Sequence, residues 1–195
     1  MSTDLVKGFI KITGKISKET FDNVSLELGK FENTNVNYID ILLTSPGGRY
    51  SYALDIALLF MRSKIEISIT AKKHVASAAI FILAAGSTRY ADSKETIFRF
   101  HTPTEILTNE SGTNYITAFS TNKKIYELGE CAIELRKLCT KITSQIIDYL
   151  IERTGMDRNL ILRLLIQSKK INALEAQNLK LIQSISKLSE LPSNI

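Results

Sequence analysis

The stretch NYIDILLTSPGG, residues 37–48, decides the fold class of this 195-residue chain. Its first eight residues are rich in Ile, Leu and Tyr, which favour a β-strand. Pro46, Gly47 and Gly48 then end the strand in a turn, and a stretch of helical character follows. A strand that leads through a glycine turn into a helix is typical of the βα unit of an α/β protein.

Strand-like and helix-like stretches alternate on both sides of this turn. Further strands are predicted at residues 8–13, 65–70 and 96–100, and helices after Pro46, after Ser77 and across residues 21–31, where Phe21, Val24, Leu28 and Phe31 recur at helical spacing. Such alternation predicts an α/β fold of stacked βαβ units with a mainly parallel sheet.

The second half of the chain has a different pattern. Apolar residues recur at intervals of three, four or seven from Ile125 to Leu150, which predicts one long amphipathic helix with Gly155 as its C-cap. Shorter helices are predicted at residues 158–167 and 173–179. We find no linker and no repeat, so we expect a single domain over residues 1–195.

Composition excludes several classes of function. The net charge is +5, but Lys and Arg are scattered among acidic residues, so nucleic-acid binding is not expected. Residues 1–8 do not resemble a signal peptide, and the most apolar window, 75–86, is too short to cross a bilayer. Cys131 and Cys139 are too few for a disulfide framework, and we expect both to be reduced and buried. These features predict a cytoplasmic protein without a membrane segment.

Two chemical signals lie at strand-to-helix turns, where α/β proteins carry their sites. The glycines of the Pro46-Gly47-Gly48 turn allow backbone amides to approach a ligand, although such a turn alone is usually only a turn. Ser77 precedes a buried apolar helix, whose N-terminus favours developing negative charge. Serine is also a preferred N-cap residue, and capping is the commoner role at such a position.

The third signal is His101, which follows the predicted strand at residues 96–100. A histidine there can act as a general base near neutral pH, although a lone histidine at a strand end is more often structural. His74, the other histidine, lies among lysines and is expected to face solvent. The chain has no His/Cys cluster at metal-ligand spacing, so no metal or cofactor is expected.

Taken in order, these motifs resemble the family of ClpP, the proteolytic subunit of the Clp protease. The resemblance covers about residues 8–185 and rests on six segments: SPGG at 45–48, AS at 76–77, FILAAG at 81–86, HTP at 101–103, RTG at 153–155 and INALEA at 171–176. It implies a ClpP/crotonase-type fold and a homo-oligomeric ring. Such rings cleave peptides or unfolded proteins in an enclosed chamber.

The resemblance also implies roles for particular residues. By position, Ser77 is the nucleophile and His101 is the general base, while the backbone amides of Gly48 and Ala78 form the oxyanion hole. The family's catalytic aspartate falls at Ser168, which brings no negative charge. In a Ser-His-Asp triad, loss of the carboxylate lowers turnover on the order of 10⁴-fold.

The serine at position 168 leaves three interpretations open. Ser77 and His101 act as a weak pair, with Ser168 orienting the imidazole; another acid, Glu105, Asp148 or Asp157, replaces the aspartate; or the chain is a non-catalytic ring subunit or scaffold. A crotonase-type enzyme acting on acyl-CoA is a more distant alternative with the same implied fold.

Two further departures from the family concern assembly. Residues 104–122 account for an insertion of close to twenty residues, and we predict a polar loop there with a turn signal at 109–112. In the family this segment forms the handle through which two rings stack; a surface loop without a role is the alternative. The family's axial segment, which contacts an unfoldase ring, is not seen before the first strand, so an ATPase partner is not expected.

Overall fold

The computed structural model describes residues 5–110 and 112–185. In these residues it contains nine strands and seven helices, which follow one another along the chain as β1 (Lys7–Thr13), α1 (Lys18–Glu32), β2 (Tyr38–Ser45), α2 (Tyr50–Arg62), β3 (Glu66–Ala76), α3 (Ala79–Ala85), β4 (Thr88–Ala91), β5 (Ile97–Arg99), β6 (Thr104–Asn109), β7 (Gly112–Thr117), α4 (Asn122–Leu128), α5 (Glu130–Thr154), α6 (Arg158–Ile166), β8 (Lys170–Asn172), α7 (Ala173–Asn178) and β9 (Ser184–Ile185).

The chain divides into two compact units. Unit 1 comprises Met1–Arg99 and Lys170–Ile195, and unit 2 comprises Phe100–Lys169. Residues 1–4 and 186–195, at the ends of the predicted single domain, and Ser111, within the predicted turn, lie outside the described residues. That the chain forms one domain stays a prediction.

Unit 1 contains a seven-stranded sheet. Its main order is β1-β2-β3-β4-β9 with parallel pairing throughout, while β5 pairs with β3 in parallel and β8 pairs antiparallel with β5. Alternate residues of β2, Ile39, Ile41 and Leu43, are buried because successive side chains point to opposite faces of a strand. The predicted α/β fold with a mainly parallel sheet is confirmed.

The helices of unit 1 begin and pack as the sequence pattern suggests. α1 begins with a capping box, in which the Ser17 hydroxyl accepts from the Thr20 amide and the Thr20 hydroxyl accepts from the Ser17 amide. All seven residues of α3 are buried, as its uniformly apolar sequence predicts. α3 packs against β3 and α2, where the Tyr50 ring meets Phe81 edge to face at 5.2 Å.

Unit 2 corrects the prediction of a loop at residues 104–122. β6 and β7 form an antiparallel hairpin, in which Asn109 pairs with Gly112 at the two ends of the predicted turn signal. The hairpin forms because β-branched and aromatic residues such as Ile106 and Tyr115 favour strands. Its inner face packs through Ile116 against Ile125 of α4 and Ala132 of α5, so burial adds to this local preference.

The predicted single long helix is in fact two. α4 ends at Leu128 and α5 begins at Glu130, because Gly129 has φ +85° and ψ −169°, which an α-helix cannot contain. The predicted C-cap is confirmed: Gly155 is left-handed with φ +70°, and its amide donates to the Ile151 carbonyl at 2.8 Å.

The two cysteines differ in their environment. Cys139 is buried and its Sγ donates to the Ile116 carbonyl at 3.4 Å, and burial raises the pKa of its thiol, so the thiol stays protonated. Cys131 lies in the first turn of α5 and is exposed, so its predicted burial was wrong. Within the described part of the chain, no helix is both long and apolar enough to cross a bilayer.

A buried arginine joins distant parts of unit 1, and its loss should destabilise the fold. Arg89 donates from Nε to the Leu181 carbonyl at 2.9 Å and from Nη1 to the Gly86 carbonyl at 3.0 Å. Arg89→Met leaves both carbonyls without this donor, and we expect it to lower the free energy of unfolding by about 3 kcal/mol.

Denaturant unfolding at fixed protein concentration measures this loss. Arg62→Met is the matched control, because Arg62 is exposed at the end of α2, and we expect it to change stability by less than about 0.5 kcal/mol. Equal midpoints for the two variants would contradict the assigned role of Arg89.

Candidate active site

Two glycines at the end of β2 allow close backbone contact with neighbouring segments. Gly47 has φ +92°, and a Cβ at this position would lie 2.6 Å from Ser77 Cβ and 2.7 Å from the Ala76 carbonyl oxygen. A Cβ at Gly48 would lie 2.2 Å from the Ile16 carbonyl oxygen. Any larger residue at either position would therefore displace backbone.

Ser45 fixes this turn from inside. Its side chain is fully buried; Oγ donates to the Gly14 carbonyl at 2.6 Å and accepts from the Gly47 amide at 3.0 Å. Ser45 has no predicted role in the sequence beyond its place in the SPGG segment. The signal that could have found it is the serine two residues before a glycine, because serine hydroxyls commonly bond the backbone amide two residues further on.

Ser77 lies between the end of β3 and the start of α3 in a rare backbone conformation. Its φ is +55°, in the left-handed region that non-glycine residues seldom occupy, and its amide donates to the Arg99 carbonyl at 2.9 Å. The alternative that Ser77 is an N-cap is wrong, because the N-cap of α3 is Ala78 and no side chain caps this helix.

Two backbone amides near Ser77 have no hydrogen-bond partner among the described residues. Neither the Gly48 nor the Ala78 amide donates a hydrogen bond to any residue of the described ranges 5–110 and 112–185. The Ala78 nitrogen lies 3.0 Å from the point that a Cβ on Gly47 would occupy, so the turn and the start of α3 are in contact. Unit 1 thus places Gly48, Ser77 and Ala78 in one neighbourhood.

Unit 2 contains the other two predicted site residues. His101 is half-buried, and its Nδ1 lies 2.9 Å from the Thr102 carbonyl oxygen. Ser168 has φ +48°, and its amide donates to the Leu165 carbonyl at 3.2 Å. The two residues flank a backbone hydrogen bond of 3.1 Å from the Phe100 amide to the Lys169 carbonyl, so they lie on neighbouring segments.

Of the three candidate acids of unit 2, two have other partners and the third lies in a strand. Asp148 forms an ion pair with Arg158. Asp157 caps α6 by accepting from the Leu160 amide at 2.9 Å, and Glu105 lies within β6. In the described part of the chain no carboxylate hydrogen-bonds to the His101 ring, and no group of three or more His, Cys, Asp or Glu side chains could hold a metal ion.

These features define a mixed α/β protein in which Gly48, Ser77 and His101 follow strands. Ser168 lies between α6 and β8. The model of the Clp protease family matches residues 2–188. The chain therefore belongs to the Clp protease family.

Solved structures agree with this fold. ClpP1 from Listeria monocytogenes is 20% identical with a TM-score of 0.69, over 91% of this chain and 89% of that one. The ClpP protease catalytic domain from Plasmodium falciparum is 25% identical with a TM-score of 0.67, over 96% and 89%. The 1510-N membrane-bound stomatin-specific protease, in a mutant form, is 17% identical with a TM-score of 0.69, over 96% and 82%. No curated protein matches the sequence.

The contact between Gly47 and Ser77 gives a direct prediction. Gly47→Ala introduces a Cβ at φ +92° into backbone and side-chain atoms less than 3 Å away. Gly14→Ala is the matched control, because Gly14 also has positive φ, +79°, but nothing lies within 4 Å of its Cβ position. We expect the control to lose about 1–2 kcal/mol from conformational strain alone, and Gly47→Ala to lose clearly more. Thermal and denaturant unfolding compare the two, and equal losses would refute the close contact.

Proposed function

We propose that the chain is a ClpP-like serine peptidase that uses Ser77 and His101. Nε2 of His101 takes the hydroxyl proton as Ser77 Oγ bonds to the peptide carbonyl carbon, and the Gly48 and Ala78 amides donate to the oxyanion. The C–N bond then breaks and His101 returns the proton to the leaving amine. Water hydrolyses the acyl-serine by the same route in reverse.

The left-handed backbone of Ser77 is the observation that carries this proposal. A serine held at φ +55° between a strand and a buried helix is the arrangement of a nucleophile elbow, in which a strained turn presents the hydroxyl. Such strain persists only where the surrounding structure enforces it, and it is concentrated at functional sites. The Gly48 and Ala78 amides, which have no partner within residues 5–110 and 112–185, supply the donors that a tetrahedral intermediate requires.

Chain connectivity supports His101 as the base. Ala76 and Arg99 are the last partners in the register of β3 with β5, and the Ser77 amide bonds to the Arg99 carbonyl. His101 follows Arg99 by two residues along the chain. For proton transfer, Nε2 of His101 has to come within hydrogen-bond reach of Ser77 Oγ, about 2.6–3.2 Å.

A non-catalytic ring subunit or scaffold is the second candidate. It is favoured by Ser168, which replaces the family's catalytic aspartate, and by the engagement of Asp148 and Asp157 with other partners. A carboxylate normally stabilises the imidazolium that forms during attack. Under this candidate Ser77 has no activated hydroxyl.

Reaction of Ser77 with a fluorophosphonate probe decides between the two candidates. We expect the full-length protein to be labelled at Ser77, as located by mass spectrometry, because only an activated hydroxyl reacts rapidly. Ser77→Ala should abolish the label and His101→Ala should lower its rate by about 10²-fold or more.

Ser87→Ala serves as a control for serine replacement outside the proposed site. Folded protein that takes up no label would refute the peptidase and leave the non-catalytic subunit. Label that persists in His101→Ala at the wild-type rate would refute the role of His101. Cys139 should not interfere, because burial keeps its thiol protonated.

We further propose a homo-oligomeric ring in the cytoplasm that cleaves peptides or unfolded proteins without a metal or a cofactor. Members of the ClpP family form oligomeric rings and degrade peptides, which supports the assembly and the substrate class. Sedimentation velocity of the full chain should show one species several times the 21.8 kDa protomer mass. A monomer at micromolar concentration would contradict the ring.

A further inference from the structure

We infer that the main-chain carbonyl of Thr102 holds the His101 ring in its Nδ1–H tautomer, and that this contact supplies the orienting part of the missing carboxylate. The inference rests on the proposed function, because it concerns the base of that reaction. All the groups involved, His101, Thr102, Thr104 and Ser168, belong to unit 2.

The chemistry of the contact fixes the position of the proton. His101 Nδ1 lies 2.9 Å from the Thr102 carbonyl oxygen, which has no hydrogen and can only accept. The ring nitrogen must therefore donate. In neutral imidazole only one nitrogen carries hydrogen, so Nε2 keeps its lone pair. A lone pair on Nε2 is what the proposed base needs in order to accept the Ser77 proton.

The carbonyl is itself held in place. Thr102 is 9% exposed, and its carbonyl oxygen also accepts from the Thr104 hydroxyl at 3.1 Å. Pro103, which lies between them, has a fixed φ and no amide hydrogen, so this short segment has few alternative conformations. Thr104 thus acts as a positioning residue: it contacts the carbonyl that contacts His101.

The other neighbouring group, Ser168, cannot do the same. A serine hydroxyl can donate or accept, so it would stabilise either tautomer of the imidazole. A carbonyl selects the Nδ1–H tautomer as a carboxylate does, because both groups can only accept a hydrogen bond. When the triad carboxylate is replaced by an amide, turnover falls on the order of 10⁴-fold because the wrong tautomer is stabilised. The Thr102 contact avoids that loss without an acid.

Nitrogen NMR of the full-length protein tests the tautomer directly. The chain has only two histidines, so ¹⁵N-histidine labelling gives two ring systems, and the exposed His74 is identified with His74→Asn. We expect two-bond ¹⁵N–¹H correlations of neutral His101 to show hydrogen on Nδ1. Hydrogen on Nε2 would overturn the inference.

Variants of Thr104 and Ser168 test the positioning role. Thr104→Val removes the second hydrogen bond to the Thr102 carbonyl, and we expect the Nδ1–H signal to weaken and the fluorophosphonate labelling rate to fall about two- to tenfold. Thr104→Ser keeps the hydroxyl and should restore both readouts. Ser144→Ala, at an exposed position of α5, should leave both unchanged. A Ser168→Ala variant that loses labelling as His101→Ala does would assign the orienting role to Ser168 and overturn the inference.

The two readouts separate this inference from the proposed function. The tautomer is measured without any reaction, whereas labelling of Ser77 reports the peptidase chemistry. A protein with Nδ1–H on His101 but no label on Ser77 would support the contact and refute the peptidase. A labelled protein with Nε2–H would support the peptidase and refute the contact.

Discussion

At the end of β2, backbone segments approach one another so closely that positions 47 and 48 have no room for a side chain. The Gly47 carbonyl accepts from the Ile16 amide, and the Ile16 carbonyl accepts from the Arg49 amide, so the loop after β1 is hydrogen-bonded to this turn. The Ser45 hydroxyl adds a further link to that loop through Gly14. Because Gly47 also contacts Ser77, the position of the serine depends on the same set of backbone contacts.

An irregularity in β3 complements this turn. Between the pairs Leu43↔Ala71 and Ser45↔Val75, two steps along β2 correspond to four along β3, so β3 bulges at residues 72–74. Lys73 in the bulge has φ +60°, and the Thr44 hydroxyl donates to the Lys72 carbonyl at 2.9 Å. Beyond the bulge, β3 pairs with β5 rather than with β4. This pairing places Ser77, which follows β3, next to Arg99 at the end of β5.

The sequence predicted those features that local pattern determines. Apolar runs identified β1, β2 and the helix α3, and a glycine after an amphipathic stretch identified the cap at Gly155. It did not predict β8 and β9, which have three and two residues and form only through partners distant in the chain. The strand predicted at residues 65–70 is β3, which extends to Ala76. Its end was predicted too early because exposed Lys72 and Lys73 interrupt the apolar run at the bulge.

In the candidate site, too, some features follow from local sequence and others only from distant contacts. The resemblance to the family was sufficient to predict Ser77 as the nucleophile and His101 as the general base. The SPGG segment was sufficient to predict the glycine turn. The Ser45 hydrogen bond to Gly47 is local and could have been predicted. The Ser45 hydrogen bond to Gly14 and the left-handed backbone of Ser77 depend on tertiary contacts that no local pattern encodes. The contact of His101 with Thr102 joins adjacent residues, yet it depends on the rotamer of the ring, which sequence does not specify.

The triad carboxylate has two separable effects, and the Thr102 carbonyl reproduces one of them. A carboxylate selects the tautomer and orientation of the ring, and its negative charge also stabilises the imidazolium formed during attack. A carbonyl selects the tautomer equally well, but it offers only a dipole to the developing positive charge, and a hydrogen bond to a neutral acceptor is weaker than one to an ion. Orientation should therefore be retained while charge stabilisation is reduced. The proposed enzyme would then be slower than a complete triad at the step in which His101 takes the proton, and faster than a pair whose histidine is free to adopt either tautomer.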